Sequence, residues 1–143
     1  MKSFGEPDAS KPWLDYSSFE FNTTSAEWLI KIVTDENDDF YYDDFDDNGL
    51  EYVNWWVPLH SWRILLTKKY EPALQSLIDR MTFDDDDDWA HEDLIRGLIA
   101  FGPIAIDPIF KELKKDLIFS TESYGLAGLT EVLTGIAKAH EKE

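Results

Sequence analysis

Residues 88–115 place apolar and polar side chains with a helical period on both sides of a Gly-Pro break. Trp89, Leu94, Ile95, Leu98, Ile99 and Phe101 recur at spacings close to 3.6, with Glu92, Asp93 and Arg96 opposite, which predicts an amphipathic helix. Asp88 is placed to cap it. Gly102-Pro103 ends it, because glycine accepts the left-handed C-terminal conformation and proline cannot extend the ladder. A second helix is predicted from Asp107-Pro108, with Ile109, Phe110 and Leu113 as its apolar stripe. Its Lys111, Lys114 and Lys115 lie toward the C-terminal end, where cations are favoured.

The rest of the chain is arranged around this pair. Residues 1–22 predict an irregular arm with Pro7 and Pro12, whose Phe4, Trp13, Tyr16, Phe19 and Phe21 pack on the first helices. Thr24-Ser25-Ala26-Glu27 reads as a capping box opening a helix to about Thr34, with Trp28, Leu29, Ile32 and Val33 buried. From Trp55 a further helix buries Trp56, Leu59, Trp62, Leu65 and Leu66 and ends near Lys68-Lys69. Its partner runs from Pro72 to about Met81. Residues 120–123 open the last helix, with Leu126, Leu129, Val132, Leu133 and Ile136 inside.

Glu71-Pro72-Ala73-Leu74-Gln75-Ser76-Leu77 repeats the chemistry of Asp107-Pro108-Ile109-Phe110-Lys111-Glu112-Leu113, and the two prolines are 36 residues apart. A period in that range marks helical repeats, in which neighbouring pairs stack to bury their apolar faces. The next such proline would fall just past Glu143, so the last helix is expected to lack a mate. Continuation in a longer chain, the N-terminal arm or another copy would each cover it.

The unit resembles a HEAT-like repeat, in which a Gly-Pro linker precedes an apolar helix. Val57-Pro58-Leu59-His60-Ser61-Trp62-Arg63, Asp87-Asp88-Trp89 to Glu92, and Phe101-Gly102-Pro103-Ile104-Ala105-Ile106 are similar to a bacterial group of HEAT-like proteins. So are Gly128-Leu129, Ile136-Ala137 with His140, Pro12-Trp13-Leu14-Asp15-Tyr16 and residues 27–35. The resemblance implies an all-α, short HEAT-like solenoid with an irregular N-terminal arm. Many members of that group carry a C-terminal zinc-binding SEC-C motif; this chain has no cysteine, so the motif does not carry over. The resemblance implies fold and not activity.

At 143 residues the chain is read as one domain: arm and helix to residue 34, an insertion at 35–54, and helix pairs at 55–143. The hydrophobic fraction of 43% is enough for a core despite the charge. The absence of cysteine excludes disulfides and thiolate metal sites and fits an intracellular protein. The polar start is unlike a signal peptide and no apolar run approaches membrane length, so a cytoplasmic location is expected. Net charge is −17. It repels nucleic-acid backbones and anionic membranes and favours basic protein partners. Oligomeric state is not legible in the sequence.

Most of the candidate chemistry lies in the insertion. No Lys or Arg occurs between Ile32 and Trp62, where acidic side chains interleave with Phe40, Tyr41, Tyr42, Phe45, Tyr52, Trp55 and Trp56. Carboxylates there would steer a basic partner and the aromatics would supply desolvated contact area. The predicted partner-binding residues are Asp39, Tyr41, Tyr42, Asp43, Asp44, Asp46, Asp47 and Glu51, joined by Asp84, Asp85 and Asp86 of the five-Asp run at 84–88. The plain alternative is that the aromatics are core and the acids its solvated side.

Asp44-Phe45-Asp46-Asp47-Asn48-Gly49 matches the opening of a calcium loop, but Trp55 stands where its bidentate Glu belongs. His91-Glu92 and His140-Glu141 resemble the His-Glu pairs that hold two irons in deoxyhypusine hydroxylase, which needs four such pairs. On the plain reading, His91 and Glu92 lie in an exposed first turn and His60 is a packing residue. No nucleophile elbow and no Gly-rich phosphate loop is present. No catalytic residue and no cofactor is therefore expected. The expectation is a non-enzymatic interaction module, such as an inhibitor or immunity-type protein. A metal-binding or di-iron HEAT enzyme, or a positioning part of a larger protein, is the alternative.

Overall fold

The computed structural model of the chain describes Phe4, Pro7 and residues 13–35, 56–83, 88–116 and 124–141. Most of the described residues are helical, and no strand occurs among them. Helix α1 spans Thr23–Val33, α2 Trp56–Thr67, α3 Leu74–Phe83, α4 Asp88–Phe101, α5 Ile106–Asp116 and α6 Tyr124–His140. Short 3-10 turns, Glu71–Ala73 and Gly102–Ala105, lead into α3 and α5.

Helix α4 is central. It packs on α2 on one side and on α6 on the other, while α1 lies on α2 and α3 lies against α4, α5 and α6. Two glycines let these helices approach. A Cβ at Gly97 of α4 would run into the Leu66 side chain of α2, and one at Gly135 of α6 into the Ile99 side chain of α4. The core is continuous: Leu29, Leu59, Trp62, Leu65, Leu77, Ile78, Met81, Leu94, Leu98, Ile109, Leu129, Val132 and Ile136 are all buried. Each such aliphatic side chain contributes about 1.5–3 kcal/mol relative to leaving it in water.

Helix ends follow local chemistry. Asn22, and not Thr24, caps α1: its side chain accepts from the Ser25 N–H while the Ser25 hydroxyl accepts from the Asn22 N–H. The capping box thus sits two residues upstream of the expected position, because Ser25 fills the third helical position as well as an acidic residue would. Helix α2 ends in a Schellman motif. Tyr70 N–H donates to Leu65 O and Lys69 N–H to Leu66 O, with Lys69 itself left-handed at φ 46. Gly102 ends α4 at φ 78, as the Gly-Pro pair implied. Helix α5 starts at Ile106, so Asp107 and Pro108 lie inside its first turn and neither is the cap or the first residue.

Several burial and packing expectations change. Trp28 faces solvent, because α1 turns Ala26, Leu29, Ile32 and Val33 inward and the indole lies outside that arc. Phe110 is also exposed, since Ile109 and the half-buried Ile106 and Leu113 already fill the inner face of α5. Asp93, assigned by period to the polar face of α4, is buried. The described arm residues pack toward α2 and α4 and not over α6: Tyr16 meets His60 and Trp13 meets Asp93. The outward positions of α6 are Ala127, Thr130, Glu131, Thr134, Ala137 and Lys138, a small and polar face that requires no apolar cover.

Candidate functional site

The most concentrated chemistry in the described residues lies where the arm crosses α2 and α4. Helix α2 is buried nearly all round, from Val57 to Leu66, so Arg63 enters the interior with its apolar neighbours. A guanidinium there needs a counter-charge. Asp93 of α4 supplies it: Arg63 Nε donates to Oδ2 at 2.5 Å and a terminal guanidinium nitrogen to Oδ1 at 3.1 Å.

Two indoles complete the carboxylate's shell. Trp62 Nε1 donates to Oδ2 at 3.0 Å and Trp13 Nε1 to Oδ1 at 3.1 Å. Four N–H groups therefore fill the roughly four lone-pair positions of one carboxylate. The guanidinium is also framed by the Trp13 ring at 5.3 Å and the Trp89 ring at 5.8 Å. Trp89 in turn meets Trp56 edge-on at 5.7 Å.

Beside this group, Tyr16 and His60 are buried with the phenol oxygen 2.9 Å from the imidazole Nδ1. Phe4 packs on both rings. Burial pushes the Tyr16 hydroxyl up to about 12, and the neighbouring Arg63 charge opposes only part of that rise. The buried Arg80 guanidinium lies over the Trp62 ring, 5.6 Å from its centroid.

A second, smaller group joins α3 to α5. Gln75 Nε2 donates to Asp79 Oδ1 at 2.7 Å and to Glu112 Oε2 at 3.3 Å. Lys115 Nζ donates to the same Glu112 oxygen at 2.7 Å. Here too the buried carboxylate is already engaged.

The Asp93 carboxylate holds rather than reacts. A carboxylate that accepts four N–H bonds has no lone pair left to take a substrate proton, and its acceptors are closed in by indole rings. The Trp62–Arg63–Asp93 group ties α2 to α4, and Trp13 ties the arm to both.

The residues singled out from sequence fall in three places. Asp39, Tyr41, Tyr42, Asp43, Asp44, Asp46, Asp47, Glu51, Asp84, Asp85 and Asp86 lie outside the described residues, as does the Asp44–Gly49 calcium-loop match. His91 is half-buried and not exposed as expected, because its imidazole lies beside Gly128 of α6; its Nε2 has no hydrogen-bond partner among the described residues. Glu92 is exposed, and so are His140 and Glu141 at the end of α6. Among the described residues, no group of three or more His, Asp or Glu converges as a metal would require. No helix among them is long and apolar enough to cross a membrane.

The Trp13–Arg63–Asp93 group escaped the sequence reading because its members are 30 and 80 positions from Asp93. One signal was available: Arg63 is the lone charged residue of α2, set among Trp62, Ile64, Leu65 and Leu66, which marks a buried charge that must find a partner. Compared with family models, with curated proteins and with solved structures, the chain matches none.

Proposed function

We propose that the chain is a non-enzymatic interaction module that binds a basic protein through its acidic-aromatic stretch at 35–54 and the Asp run at 84–88. One observation carries this reading: the ionisable groups divide into two sets. Asp93, Arg63 and Glu112, buried in the helical body, are bonded to one another or to neighbouring side chains. The net charge of −17, by contrast, is concentrated in sequence in a few runs, Asp38-Asp39, Asp43-Asp44, Asp46-Asp47 and the five residues 84–88. Such a charge raises the rate of encounter with a cationic surface, and aromatics among the acids provide the contact. An inhibitor or immunity-type protein that occludes a cationic active site or nucleic-acid groove would have this chemistry.

With it we propose a HEAT-like repeat architecture. The packing of α2 on α4 and of α4 on α6, and the entry of both α3 and α5 through a 3-10 turn, support that reading.

The test is capture from native lysate on the immobilised full chain, washed at low and then at high salt. A basic protein held at low salt and released at high salt is expected. If no specific protein is held at low salt, the reading fails.

A further inference from the structure

We propose that the outward face of α5 is a docking surface for a second copy of this chain, set antiparallel about a two-fold axis between Phe110 and Lys111. Helix α5 turns Ile109 and Glu112 inward and packs on α3 and α6. Its outward positions are Asp107, Phe110, Lys111 and Lys114, all exposed, with 49% of Phe110 open. The helical period places these four within an arc of about 100°, centred opposite Ile109 and Glu112. Ile106 and Leu113, a turn before and a turn after Phe110, are only half-buried, so apolar surface continues along one side of the ring. None of Asp107, Lys111 and Lys114 has an ion-pair partner among the described residues.

The order of charges selects the occupant. Along this face an acid precedes the aromatic ring and cations follow it, so the face is complementary to itself in reverse. The two-fold axis brings Asp107 of each copy to Lys114 of the other, and Lys111 of each to the Phe110 ring of the other. Opposed helix dipoles favour the same arrangement. The dipole alone accounts for an acid first and cations last, but not for an open aromatic between them. A wholly acidic or wholly basic surface would match only half of the charges. One helix face per copy belongs to the small interfaces, below about 1,200 Å², that associate weakly and reversibly. The net charge of −17 repels the copies at long range, and physiological salt screens that repulsion beyond about 8 Å.

Sedimentation equilibrium of the full chain at physiological ionic strength is expected to show a mass that rises with concentration from one chain toward two. Asp107→Lys and Lys114→Asp each place like charges opposite one another and should self-associate ~3–30-fold more weakly. Phe110→Ala should weaken association as well. All three positions are exposed, and unchanged far-UV dichroism confirms that the variants fold. An equimolar mixture of Asp107→Lys and Lys114→Asp sets acid against base at both ends and should recover wild-type association, which damage to the fold of either chain would not allow. A wild type that stays monomeric at the highest attainable concentration overturns the proposal. So does a mass that climbs past two chains, an association that none of the variants alters, or a mixture that associates no more tightly than its components.

Discussion

Trp13 donates its indole N–H to Asp93 Oδ1 at 3.1 Å, across 80 positions of sequence. The bond joins an irregular arm to the middle of the central helix, and it is the outermost contact of a carboxylate that also serves Arg63 and Trp62. The described residues of the arm from Trp13 to Phe21 are thereby joined to the core, with Tyr16 inside it.

Removing Asp93 leaves Arg63 charged and buried without a counter-ion. Asp93→Leu is expected to destabilise the fold by about 3–5 kcal/mol. The double variant Arg63→Met with Asp93→Leu should cost less than either single change, because no charge is stranded. Denaturant unfolding of the four proteins measures both effects; a double variant at the sum of the singles contradicts the coupling.

Trp13→Phe keeps an aromatic ring over Arg63 and removes only the N–H. A loss of about 1.5–3 kcal/mol is expected, the range for a hydrogen bond to a charged group. Hydrogen exchange of the arm, and of Tyr16 in particular, should rise more than that of α6. Equal change in both would mean that the arm is not tied locally.

Tyr16 gives a pH dependence of known sign. Its hydroxyl is raised to about 12 in the fold against 10.0 when exposed, so the folded state holds the proton longer. Its contribution is fully present below pH 10 and is lost as pH rises toward 12, by roughly 2–3 kcal/mol in all. The stability difference between the wild type and Tyr16→Phe should be flat below pH 10 and shrink above it. A difference that grows with pH contradicts the burial.

Two backbone positions predict opposite effects. Lys69 holds a left-handed conformation on the surface, so Lys69→Gly should stabilise by roughly 0.5–1 kcal/mol. Gly135→Ala should destabilise by about 1–3 kcal/mol, because its methyl group meets Ile99 across the α4–α6 contact. Melting temperatures separate the two signs.

Much of the helical body was legible in the sequence. The apolar period around Leu94 and Leu98, and the Gly102-Pro103 stop, mark the centre and the end of α4 because short-range spacing determines both. The same logic failed at Trp28 and Phe110, where the period was right but the width of the buried arc was not. Which neighbour covers a given edge of a helix is a tertiary fact. Asp93 failed for the converse reason: its period said surface, and the arm covers it. The proposed partner-binding acids are legible only as composition, since charge and aromatic content fix no geometry.

The most direct measurement is the affinity of the full chain for its captured basic partner as a function of salt, in the wild type and with Asp43, Asp44, Asp46 and Asp47 changed to Asn. An electrostatic module predicts weaker binding at high salt and, in the variant, both lower affinity and a shallower salt slope. An affinity that ignores salt, or a variant indistinguishable from the wild type, would contradict the account.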